Sequence, residues 1–387
     1  MTTLPFDSAL LDRLMEDAGI DVLLATSKHN VQYLLGGHRS LFFDVMDATG
    51  VSRYLPVLVY PKGAPDKAAF ITHRLDSFQH QLKPFWTPVT DFKASGSIDV
   101  MQNTLAYLER AGLPLRNIGV ELAFIPADAA MTLQARLQDG GLKDALFVLE
   151  RLRARKTPEE LRLLRRASEL VVDTMAAVIG GHGAGASKQA LCDAMRREEV
   201  SRGLNFEYCL ITMGTDCNRA PSDQRWAEGD ILSIDSGGNY HGYIGDLCRM
   251  AILGEPDAEL QDLLAEIETI QRAAMSAIRA GAIGNDPYAA AEPLVSASAN
   301  RGHLHFLAHG MGLVSHEAPR LTGSGPVPYD GYDAELPLHA GMVISVETTM
   351  PHPRRGFIKL EDTVAVTESG CEIFGEGGRG WNLGGST

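Results

Sequence analysis

The chain has 387 residues, 45% of them hydrophobic and 22% charged. That is the composition of an ordinary globular protein, long enough for two domains. A net charge of −14 speaks against nucleic acid and anionic membrane surfaces as partners. The first elements read in mixed order. Leu10, Leu11, Leu14 and Met15 repeat at helical spacing. Residues 21–25, 54–60 and 117–121 read as buried strands, and a helical run follows over 127–138.

A strong helix start lies at Thr157, a natural N-cap, with Pro158 in the first position and Glu160 closing a capping box. Gly180 and Gly181 stop that helix. The domain boundary is expected just before the cap, giving domains 1–152 and 153–387. A second long helix is expected over 257–280. The glycine-rich stretch 375–387 reads as frayed. No run is long enough to span a membrane, and the opening residues lack a signal peptide's basic start. Five cysteines without CxxC spacing point to free thiols and a cytoplasmic location.

Chemistry concentrates in the second half, where Asp235, Asp246, His309, Glu347 and Glu361 each sit in an apolar, strand-like segment. Buried carboxylates need compensating charge, since desolvating one costs several kcal/mol. Four carboxylates exceed what one divalent ion balances, so two ions are expected. The segment SGGNYHGYIG reads as a hairpin turn. If it turns symmetrically about Tyr240-His241, Asp235 and Asp246 become direct cross-strand partners, with Cβ atoms about 4.5–5.5 Å apart. Two surface aspartates flanking a turn is the alternative. A second hairpin centred on Arg354 sets Glu347 against Glu361 in the same way. His305, His309 and His316 cluster in one glycine-flanked segment.

At GDILSIDSGGNYHGYIGDLCR, AHGMGLVSHEAP, AGMVISVETTM and IKLEDTVAVTESGCEIF the chain resembles the creatinase/prolidase/methionine-aminopeptidase family, M24, and most closely its Xaa-Pro peptidases. RLRARKTPEELRLLRRASEL, NVQYLLGG and NIGVE extend the likeness over most of the chain. The resemblance implies an α+β fold, with an N-terminal creatinase-like domain and a C-terminal pita-bread catalytic domain. It also implies a cytoplasmic homodimer that cleaves small peptides with two divalent ions, Mn foremost and Zn, Co or Fe as alternatives. Asp235, Asp246, His309, Glu347 and Glu361 would be the ligands. Glu347 would carry the proton of the attacking water, and His316 and His305 would contact substrate.

Three positions depart from the family's pattern. Asn218 stands where the proline peptidases usually have histidine, Lys359 where arginine is common, and Cys248 where threonine is. Asn218 and Lys359 are therefore candidate substrate-binding positions. In the segment HRSLFFDVMDATGVSR, Arg39 or Arg53 could clamp a substrate carboxylate. Two alternatives follow from the departures: a family enzyme repurposed for a small non-peptide metabolite, or a peptide-binding pseudo-enzyme.

Overall fold

The computed structural model describes residues 4–39, 46–137, 140–323 and 330–385. Two compact units divide the chain, Met1–Leu152 and Arg153–Thr387.

The N-terminal unit begins with helix α1 (Ser8–Asp17), strand β1 (Val22–Ala25), α2 (Lys28–Leu34) and the short α3 (Met46–Thr49). Next come β2 (Val57–Pro61), β3 (Ala69–His73), α4 (Asp76–Leu82), β4 (Val89–Ala94) and α5 (Ser97–Arg110). β5 (Ile118–Val120), α6 (Ala127–Gln134), β6 (Leu142–Asp144) and α7 (Leu146–Ala154) complete the series. The strands form one mixed sheet in the order β4-β3-β2-β1-β5-β6. Alternate residues of a strand face opposite sides, so Val22, Leu24, Val57 and Val59 pack toward α5 and α6. Leu23, Leu58 and Tyr60 pack toward α1 and α7. The strand expected over 54–60 starts later, at Val57, and the helix expected to reach Gln138 ends at Gln134. Gln138 and residues 40–45 of the HRSLFFDVMDATGVSR segment lie outside the described residues.

The C-terminal unit opens on α8 (Pro158–Gly180), whose Thr157–Glu160 capping box is formed in full. α9 (Lys188–Ser201), β7 (Asn205–Met213), β8 (Ile231–Tyr240) and β9 (Tyr243–Ile252) follow. α10 (Ala258–Ser276) and α11 (Asp286–Ala297) precede β10 (His305–Gly310), β11 (Val343–His352), β12 (Gly356–Val366), β13 (Cys371–Phe374) and β14 (Asn382–Leu383). α10 ends earlier than the expected Ala280. Beyond it the backbone is drawn into tertiary pairing, Ala280 N–H donating to Thr367 O and Gly281 N–H to Leu338 O. The glycine-rich tail likewise docks in part, with β14 pairing alongside β9.

The second sheet runs β10-β11-β12-β9-β8-β7, with β13 on β12 and β14 on β9. One face carries Ile234, Leu247, Val346 and Leu360, which pack on the apolar sides of α8, α9 and α10. Burying such aliphatic side chains is worth about 1.5–3 kcal/mol each. The other face of the same strands carries the candidate ligands.

Behind the sheet, the fully buried Glu199 of α9 accepts a hydrogen bond from Ser236 Oγ at 2.9 Å, while its other oxygen has no hydrogen-bond partner. Burial, with Glu207 adding to it, pushes this carboxyl from 4.5 up to about 8. The folded chain therefore binds a proton that the unfolded chain releases between about pH 4.5 and about pH 8. Glu199 thus lowers stability as pH rises through that window, by up to about 1.4 kcal/mol per pH unit. Glu199→Gln is expected to flatten the decline, measured as urea unfolding at about pH 5 and about pH 8. An unchanged slope would refute the assignment.

Candidate metal centre and cavity

The five candidate ligands lie on five strands that are neighbours in the sheet, His309 on β10, Glu347 on β11, Glu361 on β12, Asp246 on β9 and Asp235 on β8. Their registers put them on one face. Glu347 and Glu361 are direct partners, as the hairpin centred on Arg354 predicts. The β8–β9 hairpin differs from expectation. Its turn is His241-Gly242, with φ of 53° and 101°, the left-handed pair that a tight two-residue hairpin turn requires. Asp235 therefore faces Cys248 and Asp246 faces Gly237, so the two aspartates are diagonal neighbours instead of direct partners. The shift is by two, so both keep the same face. Cys248 also pairs with Glu361, which places its thiol between Asp235 and Glu361 in the sheet.

One oxygen each of Asp246 and Glu361 and one nitrogen of His309 lie within 4.8 Å of one another, and all three residues are buried. His309 Nδ1 lies 3.3 Å from the Gly310 carbonyl, the kind of contact that fixes a ligand imidazole and frees its other nitrogen. His309 Nε2 is buried without a hydrogen bond, 3.7 Å from Glu361 Oε1. Orphaned polar atoms of this kind are costly unless a cation completes them, so the donor set fits a divalent ion. Burial pushes the Asp246 carboxyl well above the usual carboxylate range, and Glu361 and Asp235 add to the rise. Burial also raises Glu347, with Glu361 contributing. For Glu361, burial is outweighed by Lys359 and His309, which hold it low.

A cavity of about 1220 Å³ opens on this face, lined among others by Tyr208, Arg219, His305, His316, Lys359 and the five ligands. His316 stacks on His309, with ring centroids 3.8 Å apart and planes 12° from parallel. Burial, followed by the neighbouring His309, lowers His316 to about 3, so it is a neutral imidazole at ordinary pH. His305 is exposed at the start of β10.

Lys359 is at the centre, not the margin. Its Nζ donates to Asp235 Oδ2 at 2.6 Å, lies 2.7 Å from Glu361 Oε2, and contacts Glu347 Oε2. Asn218 is not where the expectation put it. It is exposed and absent from the cavity lining, its side-chain oxygen accepting from Ala220 N–H within its own loop. The adjacent Arg219 occupies the wall, pairing with Asp235 and covering the Phe357 ring. Arg39 is half-buried and Arg53 exposed, both in the N-terminal unit.

Sequence reasoning missed Tyr208 as well as Arg219. β7 slips register at Glu207, so Tyr208 pairs with Gly237 and Phe206 with Gly238. Tyr208 keeps the register of Leu210, which pairs with Asp235, so alternation puts it on the ligand face beside Asp246, while the bulge turns Phe206 to the other side. A Cβ on Gly237 would collide with the Tyr208 ring, so glycine is what lets the phenol cross the strand.

The family model for metallopeptidase family M24 matches residues 162–368, and that for the creatinase/prolidase N-terminal domain matches 9–155. The chain belongs to metallopeptidase family M24. M24 membership makes it a metal-dependent hydrolase of the peptide-cleaving class. Among its relatives, the probable dipeptidase PepE of Mycobacterium tuberculosis is 28% identical, covering 94% of this chain and 92% of its own. The Xaa-Pro dipeptidase of Pyrococcus furiosus is 26% identical, covering 94% and 95%. The Xaa-Pro dipeptidase structure from Bacillus anthracis superposes with a TM-score of 0.81 at 20% identity, covering 97% and 98%. The N-terminal domain of the FACT complex subunit SPT16 from Cicer arietinum shares the fold at 13% identity, TM-score 0.74, covering 98% and 99%.

Proposed function

We propose that this M24 enzyme is an Xaa-Pro dipeptidase or aminopeptidase, and that Asp235, Asp246, His309, Glu347 and Glu361 are its metal ligands. The observation that carries the reading is the orphaned His309 Nε2 facing Asp246 and Glu361 at a cavity of peptide size. The five donors suffice for a pair of ions, and a mostly oxygen set with one imidazole favours Mn, with Zn, Co and Fe as alternatives. A bound divalent ion would lower the pKa of water and polarise the scissile carbonyl. Glu347, at the cavity and with its pKa raised, accepts the proton of the attacking water and returns it to the leaving amine. Neutral His316 donates a hydrogen bond to the developing oxyanion without supplying charge, and His305 contacts substrate from the cavity edge.

Substrate selection is assigned to Lys359 and Arg219, which line the cavity, and to Arg39 or Arg53 as carboxylate clamps supplied in a cytoplasmic homodimer. All five cysteines are free thiols, which supports a reducing compartment. Among the described residues no helix is long and apolar enough to cross a membrane. Retention of all five donors speaks against a binding-only module, because such a module has no use for buried carboxylates. The test is a panel of Xaa-Pro dipeptides and tripeptides, non-proline controls and small non-peptide amides, run on the Mn-loaded chain. Xaa-Pro hydrolysis that disappears with chelator is the expected result; turnover of the non-peptide amides alone would replace the proposal with the metabolite reading.

A further inference from the structure

We infer that Lys359 is a resident cation at the second metal position, so that the chain binds one divalent ion tightly and admits a second only by expelling the ammonium. The inference rests on the proposed reading that Asp246, His309 and Glu361 hold a metal. Three carboxylates from three different strands converge on the single Nζ atom, two of them at 2.6 Å and 2.7 Å, and the lysine side chain is only 6% exposed. An ammonium with three short carboxylate neighbours makes the contacts that a divalent ion would make there. Asp246, by contrast, makes no ion pair with lysine or arginine among the described residues, and it sits beside the orphaned His309 imidazole. The two halves of the cluster are therefore unequal. Asp235, Glu347 and one oxygen of Glu361 face a cation that the chain supplies. Asp246 and His309 face none.

The charge count agrees. Asp235, Asp246, Glu347 and Glu361 contribute four negative charges, against which Lys359 and Arg219 contribute two permanent positive ones. The remainder is balanced by one divalent ion, whereas a pair leaves an excess of positive charge in a buried site. The charge count from sequence alone left out the cations that fold into the cluster. Residue chemistry explains why lysine and not arginine has this effect. A compact ammonium on a flexible stem can occupy a metal-sized gap, whereas a planar guanidinium pairs with carboxylates from the side.

The experiment uses the full chain, stripped with chelator and dialysed to equilibrium against low-micromolar Mn. Mass spectrometry then counts the ions and electron paramagnetic resonance reports their coupling. One ion per wild-type chain, with an isolated-ion spectrum, is expected. Lys359→Met should take up two ions with a spin-coupled spectrum. Removing the ammonium that occupies the second position should tighten binding of the second ion by about 10³-fold or more. Lys359→Gln provides a second neutral variant, and circular dichroism verifies that each variant is folded. Two tightly held, coupled ions in the wild type would overturn the inference and leave the metal reading standing. Folded Lys359→Met and Lys359→Gln chains that still bind one ion would also overturn it. A wild type that binds none would overturn both.

Discussion

Asp246→Asn is expected to release the metal and to lower kcat/KM by roughly 10³-fold or more, since a bound ion supplies several kcal/mol of transition-state stabilisation. The same change should leave the metal-free protein as stable as before, or more stable. Asp246 is buried, its carboxyl is pushed well up by burial and by Glu361 and Asp235, and among the described residues it pairs with no lysine or arginine. Its folded pKa lies above the unfolded one, so the ionised carboxylate costs stability at any pH above the usual carboxylate range. Asparagine keeps the shape but removes that cost. Thermal denaturation in chelator therefore separates loss of function from loss of fold. A variant that keeps its metal and its activity would remove Asp246 from the ligand set.

Asp246 also marks how far the sequence could be read. The pairing of Glu347 with Glu361 was legible because the second hairpin turns symmetrically about Arg354. The pairing of the aspartates was off by two residues because His241 adopts a left-handed conformation, for which histidine gives only a weak signal. A slip of two preserves the face of every side chain, so convergence was predictable and spacing was not. Lys359 was visible as a departure from arginine, yet nothing in the one-dimensional pattern told that its ammonium would reach three carboxylates. Tyr208 and Arg219 were harder still. Tyr208 follows Leu210 by simple alternation, but the slip at Glu207 breaks the pattern just before it, and Arg219 sits in an irregular loop that no periodicity announces. Asn218 illustrates the converse: it is exposed within its own loop, and the residue lining the cavity is its neighbour Arg219.

Glu317→Ala is expected to destabilise the C-terminal unit by about 3–5 kcal/mol, the loss typical when one partner is deleted from a buried ion pair. Glu317 accepts from Arg153 at 2.8 Å and from Lys156 at 3.1 Å, and all three side chains are at most 2% exposed. Burial would raise the Glu317 carboxyl, but Arg153 and Lys156 outweigh it and hold it low. Its folded pKa is thus depressed, and its contribution is present above the unfolded carboxylate pKa and lost as pH falls through the folded value. Alanine leaves both cations buried without their acid. The effect should also reach the active face. Glu317 N–H donates to Gly310 O and Gly310 N–H to Pro319 O, closing the loop that lays His316 over His309. Loosening that loop is expected to lower kcat more than it raises KM, because His316 is assigned to the oxyanion and not to substrate capture. Urea unfolding and steady-state kinetics on the same preparation test both halves. A stability loss below about 1 kcal/mol would mean that water reaches Arg153 and Lys156 once the carboxylate is gone, and the rigid anchor argued for His316 would not exist.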